Sequence, residues 1–236
     1  MARRLARLLL VAVFPWAGLL ATVTSAAGQA NGTGRAVQAG PVAGVNLFTL
    51  SGSDASGTKT LTTFYVGGAL TLPIGENGFV ELQLLYAGKG ASLSTFDPRV
   101  GTVTGEIKLT YLELPVLVGF DLAPVRDRRS GTPLGAGGGT RPRLYAGPTI
   151  GIDLRCDVAA SNYGTPYSIP CPDSMNVVDL GATFGGGISF PVGRATLSFD
   201  ARLTIGLTPV FVGSNAKNEG LSIGARFVFP LPGKKG

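Results

Sequence analysis

Three observations predict an all-β fold, an eight-stranded antiparallel up-and-down β-barrel that crosses a membrane on its strands. Apolar residues recur at every second position in short segments from about residue 37 to residue 230, with no helical period between them. The intervening positions hold Gly, Ser and Thr with an occasional charge, not the Lys- and Glu-rich face of a strand that meets water. Charged residues make up 14% of the chain, where about 25% is usual in soluble domains.

The chain has 236 residues and opens with Arg3, Arg4 and Arg7, an apolar run from Leu8 to Leu20, and small residues through Ala26, Ala27, Gly28 and Ala30. A charged lead, an apolar middle and a small-residue end are the parts of a secretory signal peptide. The expectation is a leader over 1–30, cut after Ala30 or, as second choice, Ala27. Its apolar run is broken by Pro15 and is short of the roughly 20 residues a spanning helix needs. Residues 31–230 then form the barrel domain and 231–236 a short basic tail. Without a further long apolar run, the exported chain either stays soluble or enters a membrane as a barrel.

The strands follow by parity, because alternate side chains of a strand point to opposite faces. Ala43 to Leu50 sets Val45 and Leu47 against Gly44 and Asn46. Phe64, Val66, Leu70 and Leu72 oppose Tyr65, Gly67, Ala69 and Thr71; Val80, Leu82, Leu84 and Tyr86 oppose Glu81, Gln83 and Ala87. Between 107 and 120, Ile107 and Leu109 share one parity and Leu112 and Leu114 the other. A β-bulge near Tyr111 would bring all four to one face and keep Glu113 on the polar side. Segments 143–154, 178–190, 195–207 and 221–229 alternate more regularly. In the third of them Leu197, Phe199, Ala201, Leu203, Ile205 and Leu207 oppose Thr196, Ser198, Asp200, Arg202, Thr204 and Gly206.

Polar connections are expected at Ser51–Thr60, Ala91–Gly105, Arg155–Asn176 and Pro209–Glu219, and short Pro- and Gly-containing turns at Pro73–Gly78 and Pro191–Arg194. Asp121–Pro142 breaks this alternation, being long where a short turn is due and holding Arg126-Asp127-Arg128-Arg129 and Gly135-Ala136-Gly137-Gly138-Gly139. That Gly run lacks the Lys-Ser/Thr of a phosphate loop and reads as a flexible turn. The arginines read as a solvated turn, with contact to anionic head groups as the alternative.

The small and polar face suits a narrow closed interior, since eight strands leave room only for side chains. Apolar sets of five or six residues suit a tilted strand, which needs about 9–11 residues to cross hydrocarbon. Glu81, Lys108, Glu113, Arg143, Asp153, Asp179, Asp200, Arg202 and Arg226 are expected in the lumen as a network of paired charges that fills it. Cys156 and Cys171 are expected to form a disulfide in an oxidising compartment. In the loop they bracket, Tyr163, Tyr167 and Ile169 form either a contact surface or packing against the rim.

The chain has no His, which removes Ser-His-Asp and Cys-His nucleophile systems and His-based zinc sites. No catalytic residue, cofactor or metal is assigned, and no enzyme activity is expected. The formal charge is +6, but no basic face with interleaved aromatics is present, so no nucleic-acid partner is expected.

Ala43-Gly44-Val45-Asn46-Leu47, the run Glu81 to Gly90, Tyr111-Leu112-Glu113-Leu114-Pro115 and Tyr145-Ala146-Gly147-Pro148 together resemble the PorT-like and related small "porin family" outer-membrane barrels. The insertion at 131–139 and the tail after Phe229 depart from that pattern. The resemblance implies a bacterial outer-membrane protein with both termini periplasmic. Its implied partners are outer-membrane lipid, the barrel assembly machinery and an extracellular or periplasmic protein. A structural or surface-interaction scaffold is the expected role; a narrow solute pore and a soluble lipocalin-like binding barrel are the alternatives.

Overall fold

A computed structural model of the chain describes residues 35–97, 101–122, 139–162, 165–171 and 175–232. Nine strands run through them: β1 (Gln38–Ser51), β2 (Thr58–Ile74), β3 (Gly78–Asp97), β4 (Gly101–Asp121), β5 (Arg141–Asn162), β6 (Thr165–Pro170), β7 (Val178–Val192), β8 (Ala195–Gly206) and β9 (Lys217–Pro230). Eight of them form the barrel and every pairing is antiparallel. The last strand returns to the first, with Val45 opposite Ile223, and β4 also pairs with β5, so the sheet closes. The ninth strand, β6, folds back on the outer half of β5 alone. Its Pro166 and Pro170 lack an N–H, which leaves that edge short of donors.

Parity runs as the alternation predicts. Phe64, Val118 and Phe199 turn outward and are 60%, 58% and 54% exposed, whereas Asn46, Thr183 and Ser198 turn inward and are buried. An apolar exterior around a polar interior suits hydrocarbon and is the inverse of a soluble ligand-binding barrel, so the lipocalin-like alternative is excluded. The turns Gly75–Asn77 and Gly193–Arg194 stand at one end with the outer ends of β1 and β9. Gly75 and Gly193 take φ values of 58° and 61°, the left-handed conformation that such tight reversals need. Short turns mark the periplasmic end of an outer-membrane barrel and longer excursions its extracellular end.

Several inward glycines exist to admit aromatic rings. A Cβ on Gly44 would lie 2.5 Å from Cε1 of Tyr65, one on Gly185 2.5 Å from Tyr145, and one on Gly220 2.6 Å from Phe48. Gly224 would meet the hydroxyl of Tyr65. A narrow lumen holds few large side chains, and each ring is accommodated by a neighbouring strand position without a side chain.

Three expectations need correction. The stretch Ala91–Gly105 is not a loop: β3 and β4 continue as a regular ladder to Asp97 opposite Gly101. Much of Arg155–Asn176 is likewise strand, in β5 and β6. Above the bilayer both faces of a strand meet water, so apolar alternation fades although the hydrogen-bond ladder persists. The bulge belongs to β5 and not to β4. Thr110 faces Arg155 and Tyr111 faces Asp153, which leaves Leu154 as the extra residue, while β4 pairs with β3 in one register throughout. Leu109 therefore points inward and is buried. The leader expected over 1–30, the Arg126–Arg129 group, residues 135–138 of the glycine run and Tyr163 lie outside the described residues.

Gly185→Val should lower the unfolding free energy of the barrel by about 1–3 kcal/mol, since the new side chain must displace Tyr145. Gly68→Ala should leave it within about 0.5 kcal/mol, because the nearest atom to its Cβ is 3.9 Å away. Urea titration in lipid vesicles reads both, and equal effects would show that the rings do not depend on these glycines.

Candidate functional site

The lumen carries two clusters of charge stacked along the barrel axis. In the lower one, Glu81 on β3 takes Arg143 from β5 at 3.2 Å and Arg226 from β9 in direct contact. Thr71 Oγ1 donates to the same carboxylate at 3.0 Å and Gln83 Nε2 at 2.6 Å. Arg202 donates to Gln83 Oε1 at 2.8 Å and lies 4.4 Å over the Tyr65 ring. Arg143 lies 4.1 Å over Phe79, and its Nε stands 4.0 Å from Asp200. One carboxylate thus joins four strands, β2, β3, β5 and β9. Buried ions of this kind persist only when paired and hydrogen-bonded.

In the upper cluster Lys89 Nζ contacts Glu113 at 2.5 Å and Asp179 at 3.1 Å. The ammonium lies 5.1 Å from the Phe48 ring centroid and 5.2 Å from that of Tyr111. Asn218 donates to Asp179 at 3.0 Å and to the Tyr111 hydroxyl at 3.2 Å. Between the clusters, hydroxyls of Thr149, Thr183 and Thr204 form a short hydrogen-bonded row at 2.8 and 3.0 Å.

An apolar cap closes the extracellular end. Leu50, Ala55, Ala91, Leu109, Tyr111, Val210 and Ala216 are buried together, with Ile107, Cys156, Met175 and Phe211 packed against them. Two loops meet over it, where the backbone N–H of Asn215 donates to Asp54 Oδ2 at 2.8 Å. That bond is the first cause holding the Asp54 carboxyl below its ordinary pKa, with Ser214 and Ser53 adding to it. The Cys156–Cys171 disulfide ties the base of the β5–β6 hairpin beside this cap.

Of the residues assigned to the lumen by parity, Glu81, Glu113, Arg143, Asp179, Arg202 and Arg226 meet in the two clusters, and Asp200 flanks the lower one. Asp153 is half-buried beside the bulge, and its Oδ1 has no hydrogen-bond partner among the described residues. Lys108 is a correction: it lies on the outer wall, 52% exposed at its side chain, and pairs with Glu106 at 2.8 Å. The bulge expected in β4 placed it inside; without that bulge its parity is outward. Lys89 was the missing cation, and the alternation Glu81, Gln83, Ala87 extends to it.

The profile of a family described as "Outer membrane protein beta-barrel domain" matches residues 26–212. No curated protein sequence matches the chain. Among solved structures, it is similar to Neisserial surface protein A (NspA), at 15% identity and a TM-score of 0.41, over 80% of this chain and 94% of that one. It is also similar to Ail, the attachment invasion locus protein of Yersinia pestis, at 11% identity and a TM-score of 0.40, over 83% of this chain and 100% of that one. The translocator domain of the autotransporter NalP from Neisseria meningitidis matches at 11% identity and a TM-score of 0.31, over 94% and 98% of the two chains.

Glu81→Leu should destabilise the barrel by about 3–5 kcal/mol, because it strands two buried guanidinium groups, whereas Lys108→Met should cost under about 0.5 kcal/mol. Urea midpoints in vesicles read the difference; a neutral Glu81→Leu would show that the lower cluster is not needed for the fold. The Asp54 contact should persist at neutral pH. A depressed pKa means its contribution is present above the unfolded-state pKa and is lost as the pH falls through the lower folded-state value. Protease sensitivity of the loop at 207–216 should therefore rise on acidification below the ordinary carboxylate range in the native chain, and not in Asp54→Asn.

Proposed function

The chain belongs to the outer membrane protein β-barrel domain family, and from that premise we propose that it is a membrane-embedded scaffold that presents a raised extracellular surface to a partner. It resides in the bacterial outer membrane. The observation that carries the reading is the unequal height of the wall. β3, β4 and β5 are 20, 21 and 22 residues long, whereas β8 has 12. Crossing hydrocarbon takes about 9–11 residues. The surplus of β3–β5, backed by β6, stands above the lipid as one continuous sheet. A disulfide at the base of its last hairpin restrains that hairpin where no lipid supports it.

The lumen supports the same reading. Paired charges, hydroxyls and inward rings fill it and an apolar cap covers it, which leaves a solute no clear polar route. We assign no catalytic role, because the buried carboxylates Glu81, Glu113 and Asp179 are engaged by Arg and Lys. Tyr111-Leu112-Glu113-Leu114-Pro115 supports a PorT-like branch of the family. Export by a leader over 1–30 and insertion by the barrel assembly machinery belong to the same proposal.

In planar bilayers the purified barrel should show no discrete conductance steps. Sustained steps at modest voltage would sink the filled-lumen reading in favour of the narrow pore. Orientation is read separately in intact cells with a membrane-impermeant maleimide. Lys59→Cys should label from outside and Glu76→Cys should not, since the native cysteines are joined to each other; the opposite pattern would invert the proposed surface.

A further inference from the structure

At the periplasmic end the plug stops short of the mouth and leaves a cavity of about 510 Å³. Its walls carry four arginines: Arg35 and Arg141 at the rim, Arg143 and Arg226 at the floor. The rim pair is unequal. Arg35 pairs with Asp121 at 2.5 Å and donates to the carbonyl of Glu76 at 2.9 Å. No ion pair or side-chain hydrogen bond engages Arg141 among the described residues. On the floor, both guanidinium groups, each 3% exposed, share Glu81. The Nε–H of each is buried with no acceptor among the described residues.

The charge count around the cavity is uneven. Among the described residues, Arg35, Arg141, Arg143, Arg226 and Arg202 behind the floor face only Glu76, Glu81, Asp121 and Asp200. Glu76 belongs to an exposed turn, so its carboxylate is well solvated and offsets the interior charge least. Hydroxyls of Thr71 and Ser189 line the same space. Excess guanidinium in a recess walled by low-dielectric protein favours an anion. The planar fork of Arg suits carboxylate and phosphate alike.

We propose that this vestibule is a periplasm-facing binding site for a small organic oxyanion, bearing a carboxylate or a phosphate. Arg141 is its principal donor, unengaged among the described residues, Arg143 and Arg226 supply the positive field behind it, and Thr71 and Ser189 complete the polar lining. The volume falls within the range of small-molecule sites. The cavity lies at the end of the short turns, and on the orientation proposed above its occupation requires no passage through the barrel.

The test is calorimetric titration of the refolded full chain in detergent micelles at constant ionic strength. Inorganic phosphate is one probe, citrate the other, and chloride the control. Saturable one-to-one binding of phosphate, of citrate or of both is expected, and the comparison separates the two sources of the anion. Arg141→Gln should weaken it about tenfold while the heat-dependent gel mobility of the barrel is unchanged. Glu76→Gln, on an exposed turn that the fold does not depend on, should tighten it by no more than about twofold, because water screens that carboxylate. Heats that do not saturate with either probe, or binding that chloride reproduces, would overturn the proposal. So would affinities that neither substitution moves.

Discussion

Hydrocarbon offers no acceptor to a backbone N–H, so a sheet that crosses it must leave no edge. Here the edge is removed twice, by β9 returning to β1 and by β4 pairing with β5. Closure at eight strands then sets the width of the interior, and the width dictates what the interior holds. Rings enter only beside glycine, as Tyr65 does beside Gly44 and Gly224 and Tyr145 beside Gly185. Most charges enter in company. The lower cluster joins four strands through one carboxylate, so the polar network and the barrel wall hold each other in register.

The interior is also graded along its axis. Arginine dominates near the periplasmic mouth, whereas the upper half sets one ammonium, Lys89, against Glu113 and Asp179. Above that the lining turns apolar around Leu109, Val210 and Ala216. Among the described residues the end with the short turns is thus lined by polar and positive side chains, and the opposite end by apolar ones. These are two different surfaces, joined by a middle that is filled.

Height is the second asymmetry. The same ladder that satisfies the backbone inside the bilayer continues beyond it on the β3–β4–β5 side, where water replaces lipid and apolar alternation is no longer required. The β5–β6 hairpin extends that wall and is restrained by a disulfide instead of by burial. An exposed edge on such a wall invites pairing with other chains, and Pro166 and Pro170 reduce the donors it offers.

Period-two alternation, the scarcity of charge and the Gly-, Ser- and Thr-rich opposite face already determined an eight-stranded transmembrane barrel, its outward face and most of its inward charges. Those features are local: parity within a strand needs no knowledge of its neighbours. The sequence also marked Cys156 and Cys171 as partners. Tertiary structure alone decided the rest, because it depends on register between strands. The extra residue lies in β5 at Leu154, which sends Leu109 inward and Lys108 outward. Which buried charges meet was likewise invisible, since Glu81, Arg143 and Arg226 are far apart in the chain and become neighbours only when the barrel closes. Strand ends above the bilayer were hidden for a further reason: where both faces meet water, the ladder leaves no hydrophobic period to read.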